Sequence, residues 1–138
     1  MGMAIEVALA MLERQGRWLV QLRDDIPGIV APGCWGLFGG HLDPGETAEQ
    51  ALRRELQEEI AYEAGALSPW WRQEEPGRVR HCFRGVLTVP LSGLRLLEGQ
   101  DMALVSATEL RSGQLWSLRL GAYRPLAASL QRAVQALA

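Results

Sequence analysis

The stretch Gly39–Tyr62, GGHLDPGETAEQALRRELQEEIAY, limits what this chain can become more than any other part of it. Asp43-Pro44-Gly45 is turn chemistry, and Thr47 with Gln50 three residues later makes a capping box, so a helix is expected to begin near Ala48. At about 100° per residue, Ala48, Ala51, Leu52, Leu56 and Ile60 share one side. Glu55 and Glu59 project into that same arc, and Glu58 stands at its edge. Like charges at this spacing cost about a few tenths of a kcal/mol per pair, and more where water is partly excluded. A helix with no use for such acids would carry Lys or Leu there. A solvated face would not share its arc with Ala51, Leu52 and Leu56, so a bound cation is the simplest compensation.

The rest of the chain bounds the partners. Its 138 residues suit one domain, expected to span 1–138, with a single real core. Fourteen basic and 16 acidic side chains leave a net charge of −2, which argues against broad binding of nucleic acid or of an anionic membrane. A pocket of clustered arginines remains compatible with that balance. Cys34 and Cys82 lack zinc or redox-motif spacing and read as reduced thiols. No apolar run approaches the ~20 residues of a membrane span. Glu6 interrupts the N-terminal apolar run, and no basic segment precedes it, so a cytoplasmic location is expected.

In chain order, Met3–Leu12 alternates as a strand, with Met3, Ile5, Val7, Leu9 and Met11 on one face. Gln15-Gly16 turns it into a second strand, Arg17–Arg23. Asp24–Gly33 holds two prolines and two glycines and predicts an irregular surface loop. Trp35–Phe38 predicts a short strand running into a glycine turn at Gly39-Gly40. After the helix, Ala66–Glu74 carries Trp70 and Trp71, one of which must face away from the core in a regular strand. Arg78–Val89 alternates again, and Leu94–Leu97 and Met102–Val105 are shorter strand candidates. Ser106 and Glu109 form a second capping box for a short helix ending at Gly113. A last helix is expected over Ala122–Ala136, with Pro125 in its first turn. The order implies an α/β (α+β) fold, a mixed sheet with helices on both faces.

Gly40, Glu46, Arg54, Glu55, Leu56, Glu58 and Glu59 stand at the spacings of the Nudix box, and Gly40–Tyr62 resembles that signature. Ala61 occupies the usual glycine position and Tyr62 the last apolar one, which leaves the helix end open: either Ala61 bears the strain of a left-handed residue, or the helix runs on to Gly65. The resemblance implies an α/β/α sandwich, its mixed sheet flanked by the box helix and a C-terminal helix. It implies a pyrophosphohydrolase of MutT-like type acting on a small nucleoside diphosphate derivative, with a homodimer admitted. It further implies Mg²⁺ or Mn²⁺ held by Glu55, Glu58 and Glu59, with the Gly40 carbonyl as a further ligand. Arg54 would orient these carboxylates and keep them ionised, with Glu46 supporting it. The general base is left between a box glutamate and Glu98, a loop acid between two predicted strands. The alternative is a Nudix fold that binds a nucleotide without cleaving it.

Weaker signals surround the box. Arg23, at the mouth of the long loop, and Gly39, Gly40 and His41 are candidates for contact with substrate phosphate. Arg78, Arg80 and Arg84 alternate and would line one wall of a cleft. His81 shares an apolar face with Val79 and Phe83 and reads as a core histidine. Trp18 and Trp116 read as packing residues, whereas Trp35 is open between packing and a base platform.

Overall fold

The computed structural model describes residues 4–137. Strand β1 (Ile5–Arg14) is its axis. A two-residue turn with positive φ at Gln15 (52°) and Gly16 (78°) returns it as β2 (Arg17–Leu22), the backbone twist that suits a tight hairpin. β3 (Trp35–Gly36) pairs with β2, and β4 (Phe38–His41) pairs with β1. Helix α1 (Ala48–Ile60) follows, then β5 (Leu67–Glu75) and β6 (Arg78–Val86). One turn of 3-10 helix (Leu91–Gly93) leads to β7 (Asp101–Val105) and α2 (Ala107–Arg111). β8 (Gln114–Ser117), β9 (Ala122–Pro125) and α3 (Ala128–Ala136) complete the order. The main sheet runs β3-β2-β1-β6-β5, with β4 added on β1 and β7 on β2. It is mixed, because β1 and β6 pair in parallel from Ile5↔Arg78 to Glu13↔Val86 while its other pairs are antiparallel.

Both faces of this sheet are covered, giving the expected α/β/α layering. On one face Ala8, Ala10 and Leu12 meet Leu52, Leu56 and Ile60 of α1. The small alanines let the helix lie close. Each buried leucine or isoleucine contributes about 2 kcal/mol, which outweighs the repulsion among the acids on the same helix. On the other face Met11, Val20, Leu22 and Trp35 meet Leu110 of α2 and Leu130 and Ala133 of α3. Among the described residues, no helix is long and apolar enough to cross a membrane.

Several boundaries differ from the sequence reading. Met3 lies outside the described residues. Trp35–Phe38 is two strands instead of one, and Gly39-Gly40 belongs to β4, paired with Leu9 and Ala8, instead of forming a turn. β2 stops before Arg23, and β6 stops at Val86. Leu94–Leu97 is no strand: its backbone bonds the end of α1, Arg95 N to Ile60 O (3.1 Å) and Leu97 N to Glu59 O (2.8 Å). Ala122–Pro125 is a strand paired with β8, so the last helix starts at Ala128, and Pro125 ends β9 opposite Gln114 instead of sitting in a helix. The edge-to-face pair Trp116–Tyr123 (5.1 Å, 70°) stabilises that hairpin, and Trp116 is half-exposed instead of packed inside.

A register shift between Pro69 and Trp71 marks a bulge in β5. It lets Trp70 and Trp71 both pack on the α3 side, where a regular strand would send one outward. Trp35 is fully buried and donates Nε1–H to Leu115 O (3.1 Å), which settles it as packing. His81 is no core histidine: its Nε2 lies 2.9 Å from Glu6 Oε1.

Candidate active site

Local chemistry builds the helix as expected. Thr47 Oγ1 accepts from Gln50 N (3.2 Å), and Gln50 Oε1 accepts from Thr47 N (2.9 Å). At the other end Ala61 bears the left-handed conformation (φ 52°, ψ 41°), so the helix does not run on to Gly65. Its N–H bonds Gln57 O (3.0 Å) and that of Tyr62 bonds Leu56 O (3.2 Å), which closes the last turn.

Arg54 is the hub of the polar face. Its Nε and Nη2 grip Glu46 at 2.8 and 2.9 Å, and Nη2 also donates to His41 O (3.0 Å). Nη1 reaches Glu55 Oε1 at 3.0 Å and the Glu58 carboxylate at 3.3 Å. The paired guanidinium holds the Glu46 carboxyl down at about 2. It does not do the same for Glu55, whose carboxyl burial pushes up in spite of Arg54.

Two glycines make room for the acids. Gly39 N donates to Glu59 Oε1 (2.8 Å), and Gly39 has a φ of 140° with a Cβ position 2.0 Å from Ala8 O, so no side chain fits there. A Cβ on Gly40 would lie 2.6 Å from Glu55 Cδ and 2.8 Å from both its oxygens. Strand β4 is thus a bare surface against which Glu55 and Glu59 rest. Glu59 is buried, and its carboxyl is pushed up to about 10, first by that burial and then by a hydrogen bond with Glu98. Glu98, from the loop before β7, accordingly joins the box acids in space. Glu58 stands apart, its side chain 59% exposed and turned to Arg54.

Glu55, Glu98 and Gly39–His41 line one side of a cavity of about 350 Å³. Its floor is Val7 and Leu9 of β1, and its far side carries Arg78 and Arg80 of β6. Arg80 is tied to Glu75 (2.8 Å), and Arg23 enters from the loop with its Nε on Val30 O (2.6 Å). Arg84 does not join them, because its guanidinium lies over the rings of Trp18 (5.3 Å) and Trp70 (4.7 Å). The start of α3, Ala127–Ser129, closes the cavity, a contribution hidden from sequence reading once those residues are placed inside a longer helix.

The donor set fits a hard divalent cation in kind: carboxylate oxygens crowded together in a partly buried place, beside a glycine strand that leaves them space. Among the described residues, however, no three Asp, Glu, His or Cys side chains already stand as a ligand shell. Glu58 is engaged with Arg54, and Glu59 with Gly39 and Glu98. Ligation by Glu55, Glu58 and Glu59 together requires Glu58 to turn from Arg54 toward the other two.

A family model described as the NUDIX domain matches residues 3–122. A nucleoside triphosphatase NudI of Enterobacter sp. (strain 638) is 54% identical over 66 residues, which is 46% of this chain and 46% of that protein. The chain thus matches about half the length of the curated relatives it resembles. Among solved structures, a MutT NUDIX hydrolase from Burkholderia pseudomallei superposes with a TM-score of 0.75 at 19% identity, covering 99% of this chain and 100% of the other. The NUDIX domain of Shewanella oneidensis NrtR, crystallised with ADP ribose, gives 0.73 at 18% identity, covering 99% and 88%. At such identities the two superpositions speak for the fold alone.

Proposed function

Since this chain belongs to the Nudix hydrolase family, we propose that it is a divalent-metal-dependent pyrophosphohydrolase that cleaves a nucleoside diphosphate linked to another group, by attack of water at phosphorus. The observation that carries this reading is the convergence of Glu55, Glu59 and Glu98 beside Gly39–Gly40 at one end of a cavity whose far side is lined by arginines. One end suits a cation and the diphosphate it accompanies; the other suits the rest of an anionic substrate. Glu55, Glu58 and Glu59 would hold Mg²⁺ or Mn²⁺, with the Gly40 carbonyl as a further ligand. Such an ion would offset phosphate charge and acidify a bound water.

The chain's own residues do the remainder. Arg54 positions Glu46, Glu55 and Glu58 through its five donors. Glu98 faces the buried Glu59 and is the candidate to take the proton of the attacking water. Arg23, Arg78 and Arg80 are the candidate phosphate and nucleotide contacts. The NudI similarity makes nucleoside triphosphates the first substrates to try. The test is pyrophosphate or phosphate release from the common ribo- and deoxynucleoside triphosphates, ADP-ribose and nucleotide sugars, with and without Mg²⁺. Turnover that needs Mg²⁺ and is lost in Glu58→Gln and Glu59→Gln is expected. Tight binding without turnover at any metal concentration would favour a silent nucleotide-binding module instead.

A further inference from the structure

We propose that Gln21 is a positioning residue for this hydrolysis: its buried amide holds the main chain of Glu98 so that the Glu98 carboxylate faces Glu59 and the cavity. The inference rests on the reading of Glu98 given above. Gln21 lies in the middle of the sheet, on the β2 face that it shares with the core residue Leu19, and is 2% exposed. A leucine would pack at such a position without the desolvation cost of an amide. The amide is accounted for by its bond: Gln21 Nε2 donates to Glu98 O at 3.1 Å.

The loop is pressed onto β2 at this point. Gly99 has a φ of 100°, and a Cβ there would meet Leu22 O at 2.8 Å and Gln21 Cγ at 3.0 Å. Neighbouring bonds fasten both flanks of Glu98. Leu97 N holds Glu59 O (2.8 Å), Gln100 N holds Leu22 O (2.8 Å), and Gln100 Nε2 holds Arg23 O (2.9 Å). The bond to Glu98's own carbonyl comes from Gln21. Without it the flanks stay fastened, but the peptide that carries Glu98 is free to rotate and turn its carboxylate away. The arginines of the cavity are untouched by that change, so the loss belongs in kcat and not in KM.

The experiment is a double-mutant cycle on the full chain with Mg²⁺ and the common nucleoside triphosphates as probe substrates. Gln21→Met keeps the volume and removes the donor. It is expected to lower kcat about tenfold with KM within about twofold, the scale of a misplaced catalytic group. Glu98→Gln is expected to cost more, and adding Gln21→Met to it is expected to cost nothing further, because the amide acts only through Glu98. Gln21→Asn, whose amide is one methylene too short to reach the carbonyl, serves as the second variant should Gln21→Met not fold, with the same pattern expected. Full activity in Glu98→Gln would overturn the role of Glu98 itself. An impaired Glu98→Gln beside an unimpaired Gln21→Met, a loss confined to KM, or additive losses in the double variant would overturn the positioning role alone.

Discussion

Gly40→Ala separates the requirement of the fold from the requirement of the site. Gly40 sits in β4 opposite Ala8, and it is absent from the positive-φ positions, so alanine can adopt its backbone. Replacing glycine at a compatible position stiffens the unfolded chain and gains about 0.4–1 kcal/mol, which offsets modest crowding. The crowding falls on one group. The new Cβ would stand 2.6 Å from Glu55 Cδ, where van der Waals contact begins near 3.4 Å, so the carboxylate must withdraw by about 0.8 Å. A displacement near 1 Å in a catalytic constellation costs about 10²-fold, or about 2.7 kcal/mol of transition-state stabilisation. The expected outcome is a folded variant, with stability within about 1 kcal/mol of the parent by urea denaturation, and kcat/KM down about a hundredfold. Gly39→Ala is the contrasting case, because its Cβ would meet the Ala8 carbonyl at 2.0 Å and the sheet itself must yield. Undiminished activity in a folded Gly40→Ala would refute the placing of Glu55 in the reaction.

Other outcomes follow from the same geometry. Ala61→Gly relieves a left-handed alanine and should raise stability by about 1 kcal/mol, read as a shift of the urea midpoint at unchanged m. Mg²⁺ or Mn²⁺ should raise Tm, as any ligand of the folded state does, and the rise should shrink in Glu59→Gln; an undiminished rise would remove Glu59 from the ligand set. Burial pushes the Cys82 thiol up to about 12 from 9.0, so the folded chain keeps a proton that the unfolded chain loses, and this contribution to stability falls as pH climbs through that window. Thiol labelling of the native chain should accordingly modify Cys34 and spare Cys82 until denaturant is added.

What could be read from sequence was what is decided locally. The capping boxes at Thr47 and Ser106 fix their helix starts through side chains three residues away, and both stand where expected. The positions of the acids on α1 followed from helical period alone. Distant partners decided the rest. Leu94–Leu97 looks like a strand but spends its amides on the carbonyls that end α1. Gly39 and Gly40 suggested a turn because glycine usually marks one, whereas here a carbonyl and a carboxylate on other elements demand the bare backbone. Tyr123, Leu126 and Leu130 happen to recur at helical spacing, although Tyr123 pairs with Trp116 across a hairpin. Glu98 could be named as a loop acid, but its meeting with Glu59 depends on that loop being held by Gln21, an amide that does not stand out in sequence on a strand face shared with Arg17 and Leu19.

The parallel seam between β1 and β6 bears on the order in which this molecule assembles. β1, β2, β4 and α1 are neighbours in sequence and can find one another through short loops, whereas Ile5 must meet Arg78 across a closure of more than seventy residues. Loop closure of that length is paid before any contact rewards it, and non-local strand pairing is a slow event in folding. The half of the site that carries Glu55 and Glu59 belongs to the early, local unit; the wall with Arg78 and Arg80 arrives with the seam. During refolding, affinity for a cation should therefore emerge before affinity for a nucleotide.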